Sequence, residues 1–140
     1  MLAVLLAASL SACGSSPPKL CVTAMAPSIR LPAVPGRPGA GYFEIEARPG
    51  QGDLRSVTSP RIARIEIHET TSAGGVTSMR RVDRLAADGC NRFIAGGDRH
   101  LMLLGLDPSI RPGDEIPLTF HFESGPPLTL YSTVRAAGEG

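Results

Sequence analysis

The chain has 140 residues, 42% of them hydrophobic and 19% charged, enough for one ordinary domain and too few for two. Fourteen Lys and Arg against 13 Asp and Glu leave a formal net charge of +1, so there is no long-range field of the kind that gathers nucleic acid. Sixteen glycines and 13 prolines, with no sustained helical period of apolar residues, argue against a helical bundle and for short strands joined by many turns.

Residues 1–12, MLAVLLAASLSA, form an apolar run too short to anchor across a bilayer and end in small residues, as a secretory signal does. Leu10-Ser11-Ala12-Cys13 matches the lipobox, in which the signal is cleaved just ahead of a cysteine that receives diacylglycerol, and Cys13 is the candidate lipidation site. The basic stretch that opens a signal is missing, as it would be if translation began upstream of Met1. Residues 13–28, with Gly14, Ser15, Ser16, Pro17 and Pro18, then read as the lipidated cysteine and a flexible tether. A buried N-terminal strand with an ordinary cysteine is the alternative. The expectation is an exported, periplasmic domain that meets the membrane through its lipid alone.

Export would place Cys21 and Cys90 where pairing is permitted. Three states stay open for them: a disulfide, stabilising by about 4 kcal/mol over so long a loop, free buried thiols, or metal and redox chemistry.

From Ile29 onward, alternation dominates. Arg61 to His68 puts Ile65 and Ile67 on one face and Arg64, Glu66 and His68 on the other, as a half-buried strand should. Further strands are predicted over Ala40–Ala47, Asp53–Thr58, Val76–Arg84, Asn91–Phe93, His100–Leu106, Glu115–Phe122 and Leu128–Val134. Turn signals fall between them, among them Pro35-Gly36, Gly74-Gly75, Gly96-Gly97, Pro112-Gly113 and Gly125-Pro126. Such punctuation favours an all-β sandwich or barrel spanning 29–135, followed by a frayed tail at 136–140.

On that scaffold one set of side chains is chemically distinctive: His68, Met79, His100 and Met102. Imidazole nitrogen and thioether sulfur make a soft, neutral donor set that suits Cu(I) better than Zn, Mg or Ca. His100 and Met102 are two apart in an apolar strand and project from one face, with Leu101 and Leu103 on the other. His68 closes a different strand and Met79 follows the Gly74-Gly75 turn, so folding can bring all four to one end of the sandwich, where loops carry function. The same residues also fit a methionine filling the core and a histidine bonded within a sheet, because HxM alone is a weak signal.

The pattern His68-x10-Met79-x20-His100-x-Met102 closely resembles the signature of the PCu(A)C family of periplasmic copper chaperones. The context agrees: IRLPAVPGRPGAGYF (Ile29 to Phe43) resembles the segment ahead of the family's first core strands, SPRIARIEIHE (Ser59 to Glu69) the strand of the first ligand, and GGDRHLMLLGLD (Gly96 to Asp107) the strand of the HxM pair. The resemblance runs from about Ile29 to Val134 and implies a cupredoxin-like Greek-key β-sandwich. It further implies a monomeric Cu(I) carrier, with His68 and His100 as imidazole ligands, Met79 as a loop thioether and Met102 as the strand thioether. The implied recipient is the cytochrome c oxidase subunit that carries the CuA centre, or another copper carrier. Two departures are visible: ETTSAGGVTS between the first two ligands has no methionine to serve as an accessory donor, and Ala26-Pro27-Ser28 lacks the aromatic usual in the first strand.

A thiolate-free set suits an oxidising compartment, where a cysteine pair would be consumed. Protons compete with the metal for imidazole, so binding should weaken as the pH falls through the ordinary imidazole range, about 6.5. His121 shares its strand face with Thr119 and reads as a solvent-side residue, Met25 as linker or edge packing, and Arg80 and Arg81 as a solvated pair beside Met79. Arg99 points to the face opposite His100. Catalysis finds no support, since neither a Gly-x-Ser-x-Gly elbow nor a phosphate-cradling loop is present. Copper delivery is the first expectation, sequestration of copper without a recipient the second, and a structural envelope lipoprotein the third.

Overall fold

The computed structural model describes residues 26–87 and 92–139. The expected signal segment, Cys13, Cys21, Met25, Cys90 and Gly140 lie outside the described residues. Within them the secondary structure is all strand and turn: β1 (Ser28–Arg30), β2 (Gly39–Glu46), β3 (Leu54–Thr58), β4 (Ile62–Ala73), β5 (Val76–Val82), β6 (Arg92–Ala95), β7 (Arg99–Leu106), β8 (Glu115–Phe122) and β9 (Leu128–Arg135).

Hydrogen bonds join these strands in the order β3-β8-β9-β1-β2-β7-β4-β5, with β6 added to β2. All pairings are antiparallel except β1 with β9. The path crosses over between β3 and β8, β9 and β1, β2 and β7, and β7 and β4, as Greek-key connections do, giving a cupredoxin-like β-sandwich. Alternation sets which side faces inward. On β8, Ile116, Leu118, Phe120 and Phe122 are buried while the residues between them are not, and β2 contributes Phe43 and Ile45 in the same way. The path folds over itself so that Phe43 meets Phe120 edge to face, ring centroids 4.9 Å apart. Leu101 and Leu103 of β7 are completely buried in this core.

The predicted strands stand with four corrections. β4 does not end at His68 but runs on to Ala73, where Gly74 and Gly75, at φ 59° and 76°, turn the chain into β5. Two consecutive positive-φ residues make the tight hairpin turn whose twist matches the flanking strands. The arm beyond Thr70 is exposed on both faces, so no apolar period marks it. β1 was not among the strands read from alternation, since three residues are too few to show it, although the resemblance implied a first strand there; it is held by β2 on one side and β9 on the other. β6 lies at Arg92–Ala95 rather than 91–93, and β5 stops at Val82, after which Leu85 bridges to Leu54 through two backbone bonds of 2.9 Å. After β9, Ala136 N donates to Glu139 Oε2 at 2.9 Å in a turn.

Candidate metal centre

Three adjacent strands, β7, β4 and β5, carry the four soft donors, and their register decides how the donors meet. His68 of β4 stands directly opposite His100 of β7, and Glu66 opposite Met102. On the other side of β4, Arg81 of β5 faces His68 and Met79 faces Thr70. Opposed residues of an antiparallel pair share a face, as do residues two apart on one strand. All four donors are therefore on the same face, the one turned away from Leu101 and Leu103. His68 is central: His100 lies across from it, Met102 is one diagonal away, and Met79 is a diagonal away on the opposite side.

The imidazoles of His68 and His100 have ring centroids 6.0 Å apart and tilt by 45°. Met79, 51% exposed on the outermost strand, sits farther out than Met102. It joins a shared ion only by bending across the His68 ring, which an unbranched thioether can do. Met79 thus lies on a strand rather than in a loop, and the four residues occupy a sheet face rather than the loop end of the sandwich. The cause is the long hairpin, which carries β5 past His68 in regular pairing.

Glu66 orients the central histidine. Its Oε2 lies 2.9 Å from His68 Nε2, and its Oε1 lies 3.1 Å from Arg64 Nε. A carboxylate only accepts, so Nε2 carries the proton and Nδ1 presents its lone pair. His68 Nδ1 is buried and has no hydrogen-bond partner. A buried polar atom without a partner is costly, and an imidazole nitrogen left with a free lone pair is satisfied by a metal ion. The hydrogen bond with His68, together with the charges of Arg64, His68 and Arg81, holds the Glu66 carboxyl below its ordinary range against the opposing effect of burial. Burial and then the neighbouring His68 push the His100 imidazole below its ordinary value, which keeps it neutral and able to ligate.

The donor set is chemically selective. Among the described residues no group of three or more His, Cys, Asp or Glu is placed to hold a metal ion, so a site here draws on the methionines as well. An open groove of about 340 Å³ runs beside the site, with Arg30, Ala40, His100 and Met102 along it and Ala137 and Gly138 of the tail at its rim. Clefts of about 500 and 460 Å³ elsewhere contain no His, Cys or Met.

Other sequence candidates fall outside this cluster. His121 is half-buried on β8, its Nε2 2.8 Å from Thr58 Oγ1. Arg80 and Arg99 both reach Glu69, at 2.8 and 3.4 Å, on the face opposite His100. Glu66 went unassigned as a positioning residue in the sequence, although the Glu-x-His alternation that puts both side chains on one face was the signal for it. The groove residues left no signal of their own, because they come from β1, β2 and the tail.

Residues 22–134 match the LpqE-like family. Over 87 residues the chain is 36% identical to the protein named "Uncharacterized protein RP573" of Rickettsia prowazekii (strain Madrid E), an alignment that takes in 60% of this chain and 48% of that one. The chain thus spans about half the length of this curated relative. Among solved structures, the fold is similar to a copper-bound PCuAC domain from PmoF2, at TM-score 0.61 and 18% identity over 81% of this chain and 91% of that one. It is also similar to the solution structure of CuI-DR1885 from Deinococcus radiodurans, at TM-score 0.62 and 24% identity over 83% and 79%. The apo PmoF2 PCuAC domain aligns at TM-score 0.62 and 21% identity over 83% and 90%. The expected cupredoxin-like sandwich is the fold these domains share with the chain.

Proposed function

This chain belongs to the LpqE-like family, and on that premise we propose that it is a Cu(I)-binding metallochaperone whose cargo is held by His68, His100 and Met102, with Met79 as the outer, exchangeable donor. The observation that carries the reading is the pairing of His68 with His100 across β4 and β7, with Met102 a diagonal away on the same face and His68 Nδ1 buried and unpartnered. Two neutral imidazoles and two thioethers favour the reduced ion, since Cu(II) prefers harder donors in tetragonal geometry. The similarly folded PCuAC domain from PmoF2 is copper-bound and DR1885 is in its CuI form, which supports the same cargo.

The arrangement suits transfer. Met79 is half exposed on an edge strand, so it is the donor an acceptor displaces first, and the groove beside Met102 gives the acceptor access. The proposed setting is the periplasm, with Cys13 lipidated and the domain tethered to a membrane. The proposed recipient is the CuA centre of cytochrome c oxidase.

X-ray absorption of the protein loaded with one equivalent of Cu(I) under reducing conditions tests the ligand set. Sulfur and nitrogen shells together are the expected result; a shell of nitrogen and oxygen alone rules out Met79 and Met102. In a strain lacking the protein, loss of oxidase activity that added copper restores supports delivery. Copper sensitivity with a normal oxidase points to sequestration instead.

A further inference from the structure

Arg30 stands where the groove ends, and its surroundings are unusual for an arginine. It faces Ala40 across β1 and β2, and Ala40 in turn faces Met102 across β2 and β7. Arg30, Ala40 and Met102 therefore form one row on the metal face, and the small methyl of Ala40 leaves a trough between the other two. Arg30 Nε is buried without a hydrogen-bond partner, and the guanidinium has no carboxylate within ion-pair distance among the described residues. Its one marked contact is with the Tyr42 ring, 5.6 Å from the centroid. Among the described residues seven other arginines each lie within 4.0 Å of a carboxylate, and Arg30 is the arginine whose Nε is both buried and without a partner.

A half-buried guanidinium without a counter-ion is costly, and none of the residues lining the groove is acidic. A Cu(I) ion held by neutral donors adds a second positive charge to the same trough. Glu66, opposite Met102 at the donor end of the row, is already engaged by His68 and Arg64, so it is the Arg30 end of the trough that calls for an anion.

We propose that Arg30 anchors a carboxylate carried on an extended segment of the copper-accepting partner, which lies along the trough from Arg30 to Met102 and His100. The proposal rests on the copper-transfer reading. Length selects a peptide over a free inorganic anion: two strand spacings separate Arg30 from Met102, roughly 10 Å, and an extended chain covers that distance in about three residues. A carboxylate seated on Arg30 places the partner's residue three positions along directly over the donors. Pro32, Pro38, Ala137 and Gly138 also line this open groove, and none of them closes it with a charged side chain. Arg30 supplies a planar fork of donors matched to carboxylate geometry.

The test uses the copper-free protein and two blocked peptides, acetyl-Glu-Gly-Gly-Met-amide and its Gln counterpart, followed by NMR of the Arg30 Nε–H and the Met102 methyl group. The Glu peptide should shift both signals and bind about tenfold more tightly than the Gln peptide, as a charge-assisted contact requires. R30Q should abolish the difference between the peptides, R30K should keep part of it, and A40L, which fills the trough and leaves Arg30 in place, should weaken both. Equal binding of the two peptides, a preference that survives in R30Q, or no binding at millimolar peptide overturns the proposal. So does acetate reproducing the Arg30 shift with equal affinity, which marks a small-anion site only. Because these measurements need no metal, they fail independently of the copper reading, which is judged by Cu(I) titration of R30Q, with affinity expected to stay within about twofold of wild type.

Discussion

Glu66 and His68 lie two residues apart on the same face of β4, and the Glu66 carboxylate holds His68 Nε2 at 2.9 Å. That bond fixes both the ring orientation and the tautomer, so Nδ1 keeps a free lone pair before any metal arrives. Carboxylates that position a ligating histidine typically contribute 10- to 100-fold in metal affinity. Glu66→Ala should therefore weaken Cu(I) binding about 10-fold or more, measured by competition with a Cu(I) chelator. Glu66→Gln, whose amide oxygen still accepts from Nε2, should lose less. Equal affinity for all three proteins removes Glu66 from the site.

The two shifted groups of the centre set a pH dependence. Burial and His68 push the His100 imidazole below its ordinary value, whereas the unfolded chain titrates near about 6.5. Between those two values the unfolded state binds more protons, so stability of the apo domain falls as the pH drops through the window and levels off below it. Glu66 acts in the same direction at lower pH: its carboxyl is depressed in the fold, so its contribution is present above the ordinary carboxylate range and is lost as the pH falls through the depressed value. Urea midpoints from pH 7.5 to pH 4 should decline in wild type, and His100→Ala should remove the upper part of the decline. Cu(I) should remain bound at His100 to a lower pH than an ordinary imidazole ligand permits, as the same burial that disfavours the proton leaves the ligating form intact.

The strand pattern was legible because one side of each core strand is dry. Ile116, Leu118, Phe120 and Phe122 repeat every second residue, and the β8 boundaries follow from them. Where burial does not write a pattern, the sequence is mute. The distal arm of β4 and nearly all of β5 are exposed on both faces, so the hairpin's length stayed hidden, although the strand expected over 76–84 already took in Met79. The HxM pair was readable from local alternation alone. Its alignment with His68 depends on the register between β4 and β7, which no segment contains by itself. The bond from Glu66 to His68 lay between these cases: the spacing was visible, yet only the absence of a partner at Nδ1 shows what the spacing accomplishes.

The two methionines are expected to contribute unequally. Met102 is half-buried beside His100, and its side chain is partly ordered by packing, whereas Met79 is 51% exposed on the edge strand. Ordering a free methionine side chain costs about 1.5 kcal/mol, close to one order of magnitude in affinity. Met102→Leu should thus weaken Cu(I) binding about tenfold more than Met79→Leu does, while either change, being nearly volume-conserving, alters stability by less than about 1.5 kcal/mol. Transfer kinetics should show the reverse emphasis, with Met79→Leu speeding release to a chelator. A larger affinity loss at Met79 would make the edge strand, and not β7, the principal sulfur donor.

Leu101 separates His100 from Met102 in sequence and points the other way, fully buried in the core. Gly41 of β2 lies directly opposite, and a methyl added there would come within 3.1 Å of Leu101 Cβ, so the two strands are packed to contact at this point. Leu101→Ala should cost about 2–5 kcal/mol of stability, read from urea denaturation, because the fixed backbone on the β2 side cannot collapse into the space. If the register of β7 is what aligns the donors, the same substitution should also loosen the spacing of His100 against His68 without touching either ring. The discriminating measurement is Cu(I) affinity at a temperature where the variant remains folded. A loss of affinity there assigns Leu101 a part in positioning the donors, and an unchanged affinity shows that β4 and β7 hold the two imidazoles in register by backbone pairing alone.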